Sequence, residues 1–239
     1  MRILAIETAT IEVGVALADE TGPVAVVTSR PGRRQVETLH PAISDACRIA
    51  RLTLADLDAV AVDIGPGLFT GLRVGVAAAK ALGGALGIPV VTATSLEILL
   101  AACPPRIAVV IPVIDMRRGE VAWLPTDGPT VAPRVGTPEQ LAAELAGLAA
   151  RTAGGRPLLL VGDGALRYRL ELAGDLEPGP VFGGTELAAP PVASLAMVAM
   201  SAMKNGRCSD PAGVRPLYGR EADARINWSS REGRAALAQ

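Results

Sequence analysis

Apolar positions along this chain come in short blocks whose period changes from element to element. Arg2 to Ile6 reads as a short apolar strand, and Glu12 to Ala18 alternates well enough for a second strand. Asp19-Glu20-Thr21-Gly22 reads as a tight turn, and Pro23 to Ser29 as a third strand, so the chain opens on an antiparallel meander. The period then becomes helical: Val36, Leu39, Ile43, Cys47 and Ala50 predict an amphipathic helix reaching about Leu52. Leu54 to Leu57 is a short connector into residues 59 to 64, an apolar, β-branched run with the character of a buried strand. A glycine-rich turn with Gly65, Pro66, Gly67 and Gly71 follows, and Leu72 to Leu86 reads as helix. Gly75, Ala79, Gly83 and Gly87 recur at four-residue spacing along that helix, giving it a nearly bare face open to close approach by another backbone. Ile88 to Thr92 predicts a strand, and Ser95 the cap of a helix through Ala102 with Glu97 in its first turn.

After Cys103-Pro104-Pro105 the pattern restarts. Strands are expected at Ile107 to Ile114 and Glu120 to Leu124 around a turn at 115 to 119, then a loop over 125 to 136. Thr137-Pro138-Glu139 has the form of a helix start, with an N-cap and proline at the first helical position. Leu158 to Val161 predicts a strand running into the turn Gly162-Asp163-Gly164-Ala165, residues 173 to 190 read as irregular, and Pro191 to Lys204 as a helix with Leu195, Val198, Ala199 and Ala202 inward. An arginine-rich tail from Ser209 carries Tyr218 and Trp228 as its aromatic anchors. Strand and helix thus alternate twice after a meander, an α/β pattern of two lobes, 1–104 and 105–239.

Composition narrows the function classes. Half of the 239 residues are hydrophobic and 3% aromatic, so the core is expected to be aliphatic and alanine-rich. A net charge of -1 argues against a strong grip on nucleic acid by this chain alone. Cys47, Cys103 and Cys208 show no paired metal spacing, and neither a signal layout nor a membrane-length apolar run is visible, so a cytoplasmic location is expected.

Candidate chemistry is thin. The turn Gly65 to Gly71 lies between a strand and a helix, where anions are received, but its spacing is neither G-x-G-x-x-G nor G-x-x-x-x-G-K-[ST]; a turn shaped for close packing is the plainer reading. In actin-like and sugar-kinase-like ATPases the loop after the first strand offers an Asp, a Gly and a hydroxyl to the phosphates. Here Glu7, Thr8, Ala9 and Thr10 stand in that loop, with Glu7 for the aspartate and Ala9 for the glycine, which makes it at most a vestigial nucleotide loop. His40 is the lone histidine and has no partner for a metal pair or a triad in sequence; a surface or interface role is the plainer reading. Glu37 with Asp45, Asp115 with Glu120, and the arginines 30, 33 and 34 read most simply as solvated charges. No catalytic residue and no metal ligand is assigned.

The segment Gly65-Pro66-Gly67-Leu68-Phe69-Thr70-Gly71-Leu72-Arg73-Val74-Gly75 resembles the G-P-G-S-F-T-G-L-R-I-G signature of the bacterial TsaB (YeaZ) family. Ile3 to Thr10 is similar to that family's opening I-L-A-I-D-T-S-T, Ile114 to Val121 to its I-D-A-R-R-G-E-V, Gly162 to Ala165 to its G-D-G-A, and Pro216, Tyr218 and Arg220 to its P-x-Y-x-R. The resemblance implies a two-lobed actin/Hsp70-like (ASKHA) fold, each lobe a mixed sheet with an antiparallel meander flanked by helices. It implies a non-catalytic subunit in the making of N6-threonylcarbamoyladenosine in tRNA, a pseudoenzyme paralogue of TsaD. TsaD would be its partner in a heterodimer, with TsaE and tRNA engaged through the complex, and a second copy of the chain would take TsaD's place in a homodimer. ATP and a TsaD-bound metal would belong to the complex, leaving this chain with no cofactor of its own. Partner contact is expected at the first lobe's two helices, about 36 to 51 and 72 to 86, through Val36, Leu39, His40, Ile43, Cys47, Val76, Ala79, Lys80 and Gly83. Gln35, where many members have histidine, and Leu68, where serine is usual, depart from the pattern. The competing reading is an ATPase, or a glycoprotease-like peptidase, acting on its own.

Overall fold

The computed structural model describes residues 1–30, 32, 34–103, 108–124, 133–151, 156–174 and 176–218. The boundary prolines 104 and 105, most of the expected loop at 125 to 136, Arg33, Arg220 and Trp228 lie outside them. Among the described residues two five-stranded sheets carry the fold. The first is ordered β3-β2-β1-β4-β5, from β1 (Ile3–Glu7), β2 (Val13–Asp19), β3 (Gly22–Ser29), β4 (Ala59–Asp63) and β5 (Val90–Ala93). The second repeats that order as β8-β7-β6-β9-β10, from β6 (Val109–Arg117), β7 (Glu120–Trp123), β8 (Arg134–Gly136), β9 (Leu158–Val161) and β10 (Val181–Phe182). In each sheet a meander is antiparallel and the other two strands add parallel.

Alternation of side chains across the pleat sorts the first sheet into two unlike faces. Leu4, Ile6, Val15, Leu17, Val60 and Val62 point to one side and pack under α1 (Gln35–Ala50) and α2 (Phe69–Leu86). On the other side the residues are mostly alanine: Ala5, Ala16, Ala18, Ala59 and Ala61, with Ile3. That shallow face receives α7 (Val192–Lys204) through Val192, Leu195, Ala196, Ala199 and Met200. The helix that follows the first sheet, α3 (Ser95–Ala101), goes the opposite way and packs Leu96 and Leu99 against Val110, Ile114, Ala122 and Leu124 of the second half. Each half therefore lends its last helix to the other. The remaining helices, α4 (Pro138–Arg151), α5 (Asp163–Arg167) and α6 (Arg169–Ala173), flank the second sheet with Leu141, Leu145, Ala165 and Leu172 inward.

Several sequence expectations shift. The cap of α3 is Thr94, whose hydroxyl accepts from Glu97 N at 3.1 Å while Glu97 Oε2 accepts from Thr94 N at 2.7 Å, a reciprocal capping box in place of the expected Ser95 cap. β6 runs through Asp115 to Arg117, so the turn shrinks to Arg118-Gly119, both at positive φ as a two-residue hairpin requires. Residues 134 to 136 are a strand rather than loop, paired to β7, and Val181-Phe182 interrupts the irregular stretch by pairing with β9. α2 begins at Phe69, three residues before the helical pattern becomes legible.

Candidate functional site

Two places gather the residues singled out by sequence. The first lies where β1 and β4 end side by side. Thr8 and Ala9 leave β1 and lie directly on the glycine turn: Leu68 N donates to Ala9 O at 2.6 Å, and Thr8 Oγ1 donates to Gly71 O at 2.8 Å. A Cβ at Gly67 would overlap the Ala9 carbonyl oxygen, at Gly71 the Thr8 carbonyl oxygen, and at Gly75 the Thr8 hydroxyl. Gly65, at φ +103, lies under the returning chain, where a Cβ would come 2.8 Å from Leu217 O. The glycines thus serve close approach between two loops of the same chain. Leu68 is the N-cap of α2 with no side-chain cap bond; the family's serine is the residue type that provides one.

Beneath this contact two carboxyl groups are buried together. Glu7 Oε1 accepts from Ala9 N at 2.7 Å, while Oε2 has no donor. Asp63 accepts from Gly65 N at 2.6 Å and from Ser95 Oγ at 2.7 and 2.9 Å. Burial, then the charge of Asp63, pushes the Glu7 carboxyl well above its usual range, and burial raises Asp63 as well. Two adjacent buried carboxylates cannot both stay ionised, so the pair holds a proton. We place it on Glu7, because Asp63 already accepts from the Gly65 amide and the Ser95 hydroxyl, and because a protonated Oε2 can donate to Asp63 in the absence of another partner. A protonated acid presents no charge to magnesium or to a nucleophilic water. Among the described residues no cluster of three or more His, Cys, Asp or Glu is placed to hold a metal.

The second place is a groove between α1 and α2, with a volume of about 720 Å³. Val36, Leu39, His40, Ile43 and Cys47 line it from α1, with Leu54, and Thr70, Arg73, Val74, Ala77, Ala78, Ala81 and Leu82 line it from α2. Val36 is 67% exposed, and burial in this apolar wall raises the Cys47 thiol. At one end Arg73 stacks 3.9 Å from the centre of the Phe69 ring and donates from Nε to Tyr218 Oη at 3.1 Å, with the two rings 5.0 Å apart. The signature helix and the P-x-Y segment, far apart in sequence, meet there. The structure turns the bare face of α2 the other way, correcting the expectation for Val76, Ala79, Gly83 and Lys80. Val76 and Ala79 are core residues over the first sheet; a Cβ at Gly83 would stand 2.8 Å from Pro211; Lys80 Nζ donates to Ala212 O at 3.1 Å and Val214 O at 3.3 Å. The residues missed by sequence, Val74, Ala77, Ala78, Ala81 and Leu82, form the neighbouring rows at the same four-residue spacing.

The second half repeats the first arrangement in part. Asp115, 3% exposed, accepts from Arg117 Nη1 at 2.7 Å and has Arg167 Nη1 at 3.6 Å. Its amide donates to Asp163 Oδ1 at 2.9 Å, and burial raises the Asp163 carboxyl to about 6. Asp115 and Glu120, a conceivable acid–base pair by sequence, flank the hairpin turn, and Asp115 is engaged with arginine.

Comparison with known proteins agrees with this geometry. The family model described as TsaD, tRNA N6-adenosine threonylcarbamoyltransferase, matches residues 21–135. Over 123 residues the chain is 42% identical to an uncharacterized protein of Mycobacterium tuberculosis, covering 51% of this chain and 57% of that one. Over 121 residues it is 34% identical to the tRNA threonylcarbamoyladenosine biosynthesis protein TsaB of Bacillus subtilis, covering 51% and 53%. The matched part is thus just over half the length of these curated relatives. The structure of YeaZ from Pseudomonas aeruginosa superposes with a TM-score of 0.74 at 26% identity, covering 91% of this chain and 99% of that one. The ethanolamine utilization protein EutJ of Carboxydothermus hydrogenoformans, at TM-score 0.53 and 12% identity over 82% and 90% of the chains, shares the two-sheet α/β fold.

Proposed function

We propose that this chain, a relative of the TsaB and YeaZ proteins in sequence and in fold, is a non-catalytic subunit in the formation of threonylcarbamoyladenosine in tRNA. It acts by docking a TsaD-family transferase on the α1/α2 groove. The observation that carries the reading is the pairing of an open apolar groove with a closed loop contact. The face that could bind a protein is exposed and lined by Val36, Ala77, Ala81 and Leu82, while the loops that would hold a nucleotide are packed on each other through Thr8 and Gly71. A helix pair presenting small and aliphatic side chains fits a second helix pair, because Ala77, Ala78 and Ala81 let partner helices come near while Val36 and the half-buried Leu82 supply area to bury; Leu39 and Ile43, expected at the contact, are core residues that only floor the groove. The groove end built by Phe69, Arg73 and Tyr218 adds a rigid aromatic rim of the kind enriched at binding centres. In this reading the chain orders its partner and extends the surface that receives TsaE and tRNA. A second copy of the chain takes the partner's place when it is alone.

The test is in-vitro modification of a substrate tRNA with a TsaD-family transferase, TsaE and the adenylate-forming enzyme present, with and without this chain. Modified base is expected only when the chain is added; equal product without it overturns the reading. The chain alone with ATP and magnesium is expected to show no rise in melting temperature, since a ligand that binds the native state would raise it.

A further inference from the structure

Arg73 is held in place by aromatic rings rather than by an acid. Its guanidinium lies 3.9 Å from the centre of the Phe69 ring, and its Nε donates to Tyr218 Oη at 3.1 Å. Tyr218 is itself anchored one residue earlier, where Leu217 N donates to Ile64 O at 2.7 Å. Arg2, Arg30, Arg48, Arg117, Arg134 and Arg167 each have a carboxylate oxygen at 2.7 to 3.6 Å; among the described residues Arg73 has none. Both of its Nη atoms are therefore left to donate, in the wall of a mostly apolar groove. The lining offers no carboxylate: Ser44 and Thr70 are its hydroxyls, and the α1 acids Glu37 and Asp45 are not part of it. A protein that covers this end strips water from the guanidinium, and a buried charge left without a partner is strongly destabilising. A carboxylate matches the guanidinium fork with two parallel bonds, and the aromatic clamp has already fixed the plane from which those bonds leave. Little further ordering is needed on pairing, which favours affinity.

We propose that the partner seated on this groove brings an aspartate or glutamate to Arg73, set among the small and aliphatic residues of its facing helices. The inference rests on the function proposed above and adds the chemistry by which such a partner is told from a second copy of this chain, whose groove lining has no acid to offer. The test is calorimetry of the full chain with a TsaD-family transferase at low and at high salt. Arg73→Gln, at an exposed position, should lower affinity about ten-fold and flatten its salt dependence. Arg73→Lys should recover only part of that loss, because an ammonium is a point charge without the planar fork. Tyr218→Phe keeps the ring and removes the acceptor, so it should cost several-fold beside Arg73 and nothing beside Arg73→Gln. Each Asp or Glu on the partner's contacting helices is then replaced by Asn or Gln. One of these should cost as much as Arg73→Gln, and the two together no more than either alone. Full additivity of Arg73→Gln with every partner acid overturns the proposal. So does an Arg73→Gln chain that binds as before while Ala81→Phe, which fills the groove without adding charge, still weakens binding; the docking reading then stands without it. Unchanged affinity in both variants, or no binding by the unaltered chain, sinks both. Self-association that falls with Arg73→Gln while partner affinity holds makes a second copy the source of the acid and overturns the proposal.

Discussion

Glu7 occupies the position where sequence comparison with ATPases leads one to look for a phosphate-side carboxylate, yet its side chain is turned into the protein beside Asp63. Its folded pKa is raised, so the folded chain holds a proton that the unfolded chain releases. Stability is then full below the unfolded value near 4.5 and falls as pH rises toward the raised folded value. Asp163 acts with the same sign between 3.8 and about 6. Melting temperature measured from about pH 4 to pH 9 should therefore decline with rising pH where these groups titrate. Glu7→Gln, which keeps a donor toward Asp63 and carries no charge, should remove the share of the decline that starts near 4.5 and leave the share that Asp163 contributes between 3.8 and about 6. An unchanged profile would mean Glu7 is not the proton carrier. At Gly71 an added methyl would overlap the Thr8 carbonyl, so Gly71→Ala should cost about 3 kcal/mol in urea denaturation, at the upper end of overpacking effects. The glycines were legible in sequence as a device for close approach. Which backbone approaches was not, because Thr8 lies sixty-three residues away from Gly71.

Element by element, α2 shows why a helix of small residues is ambiguous. Gly71, Gly75, Ala79 and Gly83 form one row, and Thr70, Val74, Ala78 and Leu82 form the next, so both sides carry small or apolar side chains. The barer row goes inward because the sheet beneath it is filled by Ile6, Val60 and Val62, and the Thr8 and Pro211 segments press on it. The next row is left to the groove. Substitutions should separate the two faces: Gly75→Leu is expected to unfold the chain. Val36→Glu and Ala77→Asp should leave its melting temperature within a degree or two and weaken binding of a TsaD-family partner by about ten-fold or more, read by calorimetry. Equal affinity for the groove variants would remove the groove from the interface. α1 is amphipathic as expected, but its buried stripe is Gln35, Leu39, Ala42, Ile43 and Ala46, so of the expected Val36, Leu39, Ile43, Cys47 and Ala50 only Leu39 and Ile43 are in the core, while Val36 is exposed and Cys47 and Ala50 are half-buried.

For the whole molecule, the exchange of α3 and α7 makes the halves depend on each other. Residues 1–104 without α7 would expose Ala5, Ala16, Ala18, Ala59 and Ala61 on one face of the first sheet and leave Leu96 and Leu99 without the second sheet. That fragment should fail to fold, with no dispersed amide spectrum, while the full chain unfolds in one cooperative transition; an independently folded fragment would contradict the exchange. Ser95, at the start of the crossing helix, anchors that helix to the first sheet through Asp63.

The sequence by itself determined what depends on neighbours along the chain. It set the first meander, the helix that follows it, the helix start at Thr137, the doubled α/β order and the glycine turn, because periodicity and turn chemistry are local. The tertiary structure alone decided which face of α2 is outward, that Glu7 meets Asp63, that Tyr218 returns to Arg73, and that α3 and α7 change places. Each of these joins residues distant in sequence, and each is settled by which surfaces fit and which charges can share a dry space, quantities that no single segment carries.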